Sequence, residues 1–509
     1  MDDWAELAHT VFMTVYTVML VMVSLYGLHR WALVMLFYRH RRKAPRLRRR
    51  FEQLPTVTIQ LPMYNEQCVA RRIIEKVCEI DYPREKLQIQ VLDDSTDGTP
   101  EIARQAVEQA RQKGFDIEYI HRDNREGYKS GALQNGLKTA KGEFITIFDA
   151  DFVPEPDFLH RSMHYFTDPN ICVVQTRWDH LNRNDSLLTR SQAIFLDGHF
   201  AIEHVARNRS RRFMAFNGTA GTWRRTAIED AGGWQHDTLT EDLDLSIRAQ
   251  MKGWKFVFLP ELTSPAELPP DMNAFKAQQF RWTKGGAQTA LKLLPRLLLS
   301  RLPLPIKVEG FFQLTAFSLH LFMLVLVLLM FPALYLRTTF IDDGTIWRSL
   351  FDLSVFTLAT LSAGVFYFAS QMELTGDWRT PFKFFPLMMA LGVGLSVSNT
   401  KAILEAWLGK KSEFVRTPKY GGDKPAGTAR SSSKRRKRNL LPYVEFLFGV
   451  YMSVCVVASL INFRAAPSTP FLVMFAFGFF YVSISSLIAE RSPAPGEVPQ
   501  PAVEQAAGN

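Results

Sequence analysis

The sequence predicts an α/β domain with a doubly wound, mostly parallel sheet, inserted into an α-helical transmembrane bundle. Three observations carry this expectation. Between Phe51 and about Gly286, strand and helix patterns alternate. Outside that stretch lie uncharged runs near the ~20 residues that a helix needs to cross a bilayer. Positive charge is concentrated in two short stretches beside those runs.

The composition sets the outer bounds. With 509 residues, 47% hydrophobic and 22% charged, the chain is neither disordered, nor collagenous, nor a disulfide-stapled mini-protein. Its four cysteines, Cys68, Cys78, Cys172 and Cys455, have no CxxC spacing, which argues against a zinc site or a disulfide framework. The net charge is +10, yet residues 39–50 alone hold +8 and residues 410–438 hold +9, so the remainder is acidic. That distribution argues against a nucleic-acid surface and for cytoplasmic loops beside a lipid bilayer.

In chain order, residues 1–38 read as an uncleaved anchor, with Val11–Tyr38 interrupted only by His29 and Arg30, and residues 39–50 as a basic cytoplasmic linker. The domain at 51–286 has strand signals at Thr56–Leu61, Gln88–Leu92, Ile117–Ile120 and Phe144–Phe148, and helix signals at Glu66–Ile80, Gly98–Lys113 and Ser130–Lys141. Residues 287–310 follow as an amphipathic interfacial segment. Residues 311–371 carry two spans, Phe311–Leu336 and Leu353–Gln371, and 440–489 two more, Leu440–Asn462 and Phe471–Ala489. If Pro381–Leu408 also crossed, the basic loop at 409–439 would face outward. The expectation is therefore five crossings, with 381–408 re-entrant or interfacial and 490–509 a disordered tail.

Five clusters carry chemistry. Asp93-Asp94-Ser95 ends a strand and suits either a base or ribose, or an Asx-rich helix start. Gly127-Tyr128-Lys129-Ser130-Gly131 opens a helix, so backbone N–H groups and Lys129 could hold a diphosphate, although the GxxxxGK[ST] spacing is absent. Asp149-Ala150-Asp151 follows another strand. Two adjacent carboxylates there suit a hard divalent cation with phosphate oxygens, or else a solvated turn. Thr240-Glu241-Asp242 starts an amphipathic helix, where an acid serves as general base or as dipole partner. Gln278-Gln279-Phe280-Arg281-Trp282 joins a guanidinium suited to phosphate with an indole suited to a sugar face; a basic aromatic helix at the membrane surface is the alternative.

Taken in this order, the clusters resemble the processive branch of glycosyltransferase family 2, from about Thr56 through Trp282. The likeness resumes at Phe414–Lys419, similar to the gating loop of bacterial cellulose synthase. Closer still are the plant cellulose synthase-like A and C families, through Pro62–Glu66, Gln90–Asp97, Asp123-Asn124-Arg125, Phe148–Phe152, Phe216–Gly221 and Gly232-Gly233-Trp234. The resemblance implies a GT-A nucleotide-sugar domain. It implies that Asp93 and Asp94 contact the nucleoside, Lys129 and Arg281 the diphosphate, and Asp149 and Asp151 a Mg²⁺ or Mn²⁺ ion. Asp242 would be the catalytic base. Phe216, Asn217, Gly218, Thr219, Glu241, Gln278 and Trp282 would surround the acceptor, while Phe414, Thr417 and Lys419 would close over the nucleotide. Three features depart from the pattern: Phe280 where the plant proteins tend to have His, the stretch Thr283–Gly286, and Arg416 beside Thr417.

The expected activity is thus an inverting, metal-dependent, processive β-hexosyltransferase that passes its polymer through its own spans. UDP-glucose is the first expectation for the donor and GDP-mannose the second. A single-transfer glycolipid glucosyltransferase and a non-catalytic transporter are the remaining readings. Expected partners are the nucleotide sugar, the growing polysaccharide and the lipid bilayer, with an export partner invisible from this chain. No nucleic acid is expected, nor a cyclic-di-GMP domain after the last span. The compact N-terminus and short tail point to a bacterial inner membrane, with a Golgi membrane as the alternative.

Overall fold

The computed structural model describes residues 2–339, 345–411, 439–461 and 468–491; Phe414, Thr417, Lys419 and the rest of 412–438 lie outside the described residues. The central sheet has seven strands: β1 (Val57–Met63), β2 (Leu87–Asp93), β3 (Asp116–His121), β4 (Phe144–Ile147), β5 (Ile171–His180), β6 (Gly221–Arg224) and β7 (Lys255–Ala266), in the order β3-β2-β1-β4-β6-β5-β7. The helices Ala70–Cys78, Thr99–Gln112 and Tyr128–Gly136 connect the first four strands, as the alternating pattern predicts. Those strands are mutually parallel, and β5 is parallel to β7. β6 runs antiparallel to both β4 and β5, so the sheet is mixed. That reversal matters for the site, because the segment entering β6 arrives at the edge where β4 and β5 end.

Side chains alternate between the two faces with the period of a strand. Phe144 of β4 joins Val57, Ile59 and Leu61 on one face, whereas Ile145 and Ile147 join the other. The second core does not stop at the domain. It includes Leu33, Val34 and Phe37 of the first helix (Asp2–His40), Phe366 of the helix Thr345–Leu374, and Phe384 and Met388 of the helix Arg379–Gly394. The domain and the membrane helices therefore share one apolar core, and burial of these rings fixes the sheet against the bundle.

Four helices among the described residues are long and apolar enough to cross a membrane, Leu7–His40, Arg379–Trp407, Leu441–Ile461 and Thr469–Glu490, and the chain is a membrane protein on this ground. The expected span at 311–336 is not one straight helix. It is split between Leu304–Thr315 and Ser318–Thr339, with a bend of 58°. The break falls where the Phe317 ring presses against Gly286, leaving no room for a Cβ there. Residues 353–371 lie within the single helix Thr345–Leu374. Residues 381–408, expected to be re-entrant or interfacial, form the consecutive helices Arg379–Gly394 and Ser396–Trp407, whose apolar window is 72% buried within the bundle. The expected domain limit at 286 falls inside a continuous helix, Met272–Leu299, capped at its start by Asp271.

Candidate active site

One cleft collects the ends of β1, β2, β4 and β5, the segment entering β6, the N-terminus of the helix Glu241–Met251 and one turn of Met272–Leu299. Ligands in open α/β sheets bind beyond the carboxyl ends of the strands, and the cleft lies there. Its lining includes Asp94, Lys129, Asp149, Asp151, Asn217, Gly218, Glu241, Asp242, Gln278, Arg281 and Trp282, so distant motifs converge on one volume.

At the β1/β2 end, Arg122 grips Asp94 through two parallel bonds, Nε to Oδ1 at 2.8 Å and Nη2 to Oδ2 at 2.5 Å. The same guanidinium donates to the carbonyls of Glu126 and Tyr128 at 3.0 Å each, which ties the loop before Lys129 to the strand end. Asp93 has a different surrounding. It is fully buried, accepts from Ser95 N–H at 2.9 Å and from the Tyr119 hydroxyl at 2.7 Å, and does not line the cleft. The Arg125 guanidinium lies over the Tyr64 ring, 3.3 Å from its centroid, and both residues face the cleft beside Tyr128. Arg125 and Tyr128 adopt positive φ, 41° and 50°, so the turn carrying them is backbone-strained.

At the centre, Lys129 Nζ bonds Asp149 Oδ1 at 2.5 Å and the Gly218 carbonyl at 3.0 Å. Burial works against the ammonium charge, but Asp149, Glu241 and Asp242 outweigh it and hold the Lys129 pKa above its ordinary value. For Asp242, burial and then Glu241 push the carboxyl up to about 7, against the pull of the Leu243 N–H, Lys129 and Arg281. Burial lowers the Arg281 guanidinium, while Glu241, Asp149, Asp242 and Asp151 oppose that shift. Asp149, Asp151, Glu241 and Asp242 thus surround Lys129 and Arg281 at the centre of the cleft. Asp149 and Asp151 line the cleft and are hard oxygen donors, a chemistry that suits a divalent cation.

A family profile described as glycosyltransferase-like family 2 matches residues 55–285. A glucomannan 4-β-mannosyltransferase of Oryza sativa subsp. japonica is 36% identical over 395 residues, covering 75% of this chain and 72% of that protein. The chain belongs to glycosyltransferase family 2. A second relative, a glucomannan 4-β-mannosyltransferase of Arabidopsis thaliana, is 46% identical over 252 residues, covering 48% of this chain and 47% of that protein. The solved structure of a mannosyltransferase from Pyrobaculum calidifontis, in complex with GDP-mannose and Mn²⁺, superposes with a TM-score of 0.51 at 21% identity, over 77% of this chain and 100% of the other. That likeness establishes the GT-A fold of this family 2 hexosyltransferase.

In the glycosyltransferase, Phe216 is buried against Trp223 rather than lining the cleft, and Thr219 accepts the Asp149 backbone N–H through Oγ1 at 2.8 Å. Both therefore support the site from behind. Gly218 has φ +80°, and a Cβ on it would lie 3.0 Å from Asp242 Oδ2 and 3.4 Å from Lys129 Nζ. Only glycine combines that backbone with so close an approach. Gly218→Ala is expected to lower transfer about 10²-fold through displacement of the carboxylate, with nucleotide affinity changed far less. Initial rates set against equilibrium nucleotide binding check this, and an unchanged rate would contradict it.

Sequence reasoning assigned no role to Tyr64, Arg125, Trp178, His180 or Glu267, all of which line the cleft. Trp178 and His180 sit at the end of β5, a strand whose mixed pattern gave little signal. Burial pushes the His180 imidazole down to about 4, so it faces the cleft as a neutral ring.

Proposed function

We propose that this glycosyltransferase is a GDP-mannose-dependent, inverting β-1,4-mannosyltransferase that elongates a mannan or glucomannan chain processively at the membrane. The observation that carries the reading is the convergence of Asp242, Lys129, Asp149, Asp151 and Arg281 on one cleft, in a chain whose relatives are named glucomannan 4-β-mannosyltransferases. Those names favour mannose over the glucose expected first. The relatives are plant proteins and give no support to the bacterial inner membrane expected from the chain ends.

In this account Asp242 accepts the proton of the acceptor hydroxyl as its oxygen attacks the sugar C1 in line. The new C–O bond forms opposite the breaking bond to the diphosphate, so an α-linked donor gives a β-glycoside. The departing diphosphate gathers negative charge, which Arg281 and Lys129 are placed to stabilise without reorganisation. A divalent cation at Asp149 and Asp151, when bound, supplies further neutralisation of the diphosphate. Glu241, Gln278 and Trp282 form the acceptor wall, with the indole offering its face to a sugar ring.

Two binding measurements on purified protein in nanodiscs test the donor and metal assignments. GDP is expected to bind at least about tenfold more tightly than UDP in Mn²⁺, a discrimination of roughly 1.4 kcal/mol. Chelation by EDTA is expected to weaken GDP binding, with Mn²⁺ or Mg²⁺ restoring it. Tighter UDP binding would return the account to glucose, and GDP binding indifferent to EDTA would remove the metal.

A further inference from the structure

Residues Gly198–His204 wind as a π-helix between the α-helices Leu187–Asp197 and Val205–Arg209. Around an α-helix, residues five apart diverge by about 140°. The wider π winding, closed by i to i+5 bonds, instead brings His199 and His204 together, their ring centroids 4.2 Å apart. Both rings meet the side chain of Asn217, which lines the cleft next to Gly218. His204 Nε2 lies 2.6 Å from Asn217 Oδ1, and His199 Nε2 lies 3.0 Å from Asn217 Nδ2.

Glu203 lies on the far side of His199 from Asn217. Its carboxylate lies 3.0 Å from His199 Nδ1 and 3.2 Å from Arg207 Nη1. Arg207 in turn bonds Glu309 at 2.9 Å, and Glu309 meets His29 of the first helix at 3.2 Å, so a buried polar chain runs from the cleft into the bundle. Burial works against the Glu203 charge, yet Arg207 and His199 hold its carboxyl well below the usual range. In the form that gives its Nδ1–H to the Glu203 carboxylate, His199 presents Nε2 as an acceptor. The Asn217 amide must then point Nδ2 at His199 and Oδ1 at His204, which donates from Nε2. One Nδ2 hydrogen remains, with no acceptor among the described residues, on a residue that faces the cleft.

We propose that His199 and His204, set by Glu203, are positioning residues that lock the Asn217 amide so that its second N–H is offered to a hydroxyl of the acceptor sugar. The proposal rests on the acceptor reading of this cleft and adds the device that orients it. The decisive comparison is between His199→Phe, which removes the acceptor for Nδ2, and His199→Gln, whose Oε1 can replace it. At saturating donor, His199→Phe is expected to raise KM for a β-1,4-manno-oligosaccharide at least about tenfold. Its kcat and GDP affinity should stay within about threefold, and His199→Gln should recover most of the loss. A KM within twofold of wild type for the Phe variant, or equal defects in both variants, would overturn the proposal. A second readout needs no acceptor: ¹⁵N histidine spectra of the wild-type protein should show His199 protonated at Nδ1 and His204 at Nε2. Like tautomers would overturn the clamp. Failure of wild type to use any oligosaccharide would refute the acceptor reading instead, while the clamp would still stand or fall on the spectra.

Discussion

Asp242→Asn is expected to lower sugar transfer by about 10² to 10⁴-fold while GDP binding is retained. The substitution preserves shape: the Asn oxygen still accepts the Leu243 N–H, which meets Asp242 Oδ1 at 2.8 Å, and the clearance beside Gly218 is unchanged. What is lost is the ability to take a proton. The raised pKa gives a second signature with a definite sign. Below about 7 the Asp242 carboxyl holds its proton and cannot act as base, so the wild-type rate should climb as pH rises through that value. A wild-type rate in the Asn variant, or a wild-type rate that falls as pH rises from 6 to 8, would contradict the assignment. Lys129 stays charged across that range, its pKa being held above the ordinary value, so it does not compete as the titrating group.

Glu445→Ala is expected to destabilise the protein by about 3–5 kcal/mol, the typical cost of leaving one member of a buried ion pair unpaired. Glu445 is fully buried in the helix Leu441–Ile461, and Lys276 of the helix Met272–Leu299 meets it at 2.7 Å, with the Ser486 hydroxyl 3.3 Å away. Lys276 sits two residues before Gln278 and on the same helix as Arg281, so the pair pins the cleft-lining helix to the bundle. Lys284 and Glu405, 2.9 Å apart, make a second such tie. Because a well-packed apolar pair can replace a buried ion pair at little cost, Lys276→Met combined with Glu445→Leu should regain most of the lost stability. Chemical unfolding in detergent or nanodiscs measures this. A single variant within about 1 kcal/mol of wild type, below the range given for broken buried pairs, would show that the pair is not what fixes the helix.

The first four strands and their connecting helices were legible because each is a local unit: an apolar run, a turn, and an amphipathic helix. The later strands were not. β6 has only four residues, and β7 contains Pro260 and Pro265 and pairs with β5 through register shifts. Strands of that kind form because neighbours already exist, which no local window reveals. The shared core was equally hidden, since Leu33 and Phe37 look like lipid-facing residues of an anchor until the sheet is packed against them. The charged motifs of the cleft could be read because acids directly after apolar strands are conspicuous. Their surroundings could not. The Arg122 grip on Asp94, the burial of Asp93 and the meeting of His199 with His204 all depend on backbone paths that spacing leaves undetermined, and an α-helical reading of 198–204 would have separated the two imidazoles. The bend at Phe317 was missed because hydropathy averages over a break that a glycine on another helix makes possible.

The most direct test of the central claim is incorporation of labelled sugar by the purified protein in nanodiscs, with GDP-mannose and UDP-glucose supplied in parallel, Mn²⁺ against EDTA, and products digested with β-mannanase or cellulase. The account predicts a metal-dependent polymer from GDP-mannose that β-mannanase degrades. Label confined to a lipid extract, or a polymer made only from UDP-glucose and resistant to β-mannanase, would contradict it.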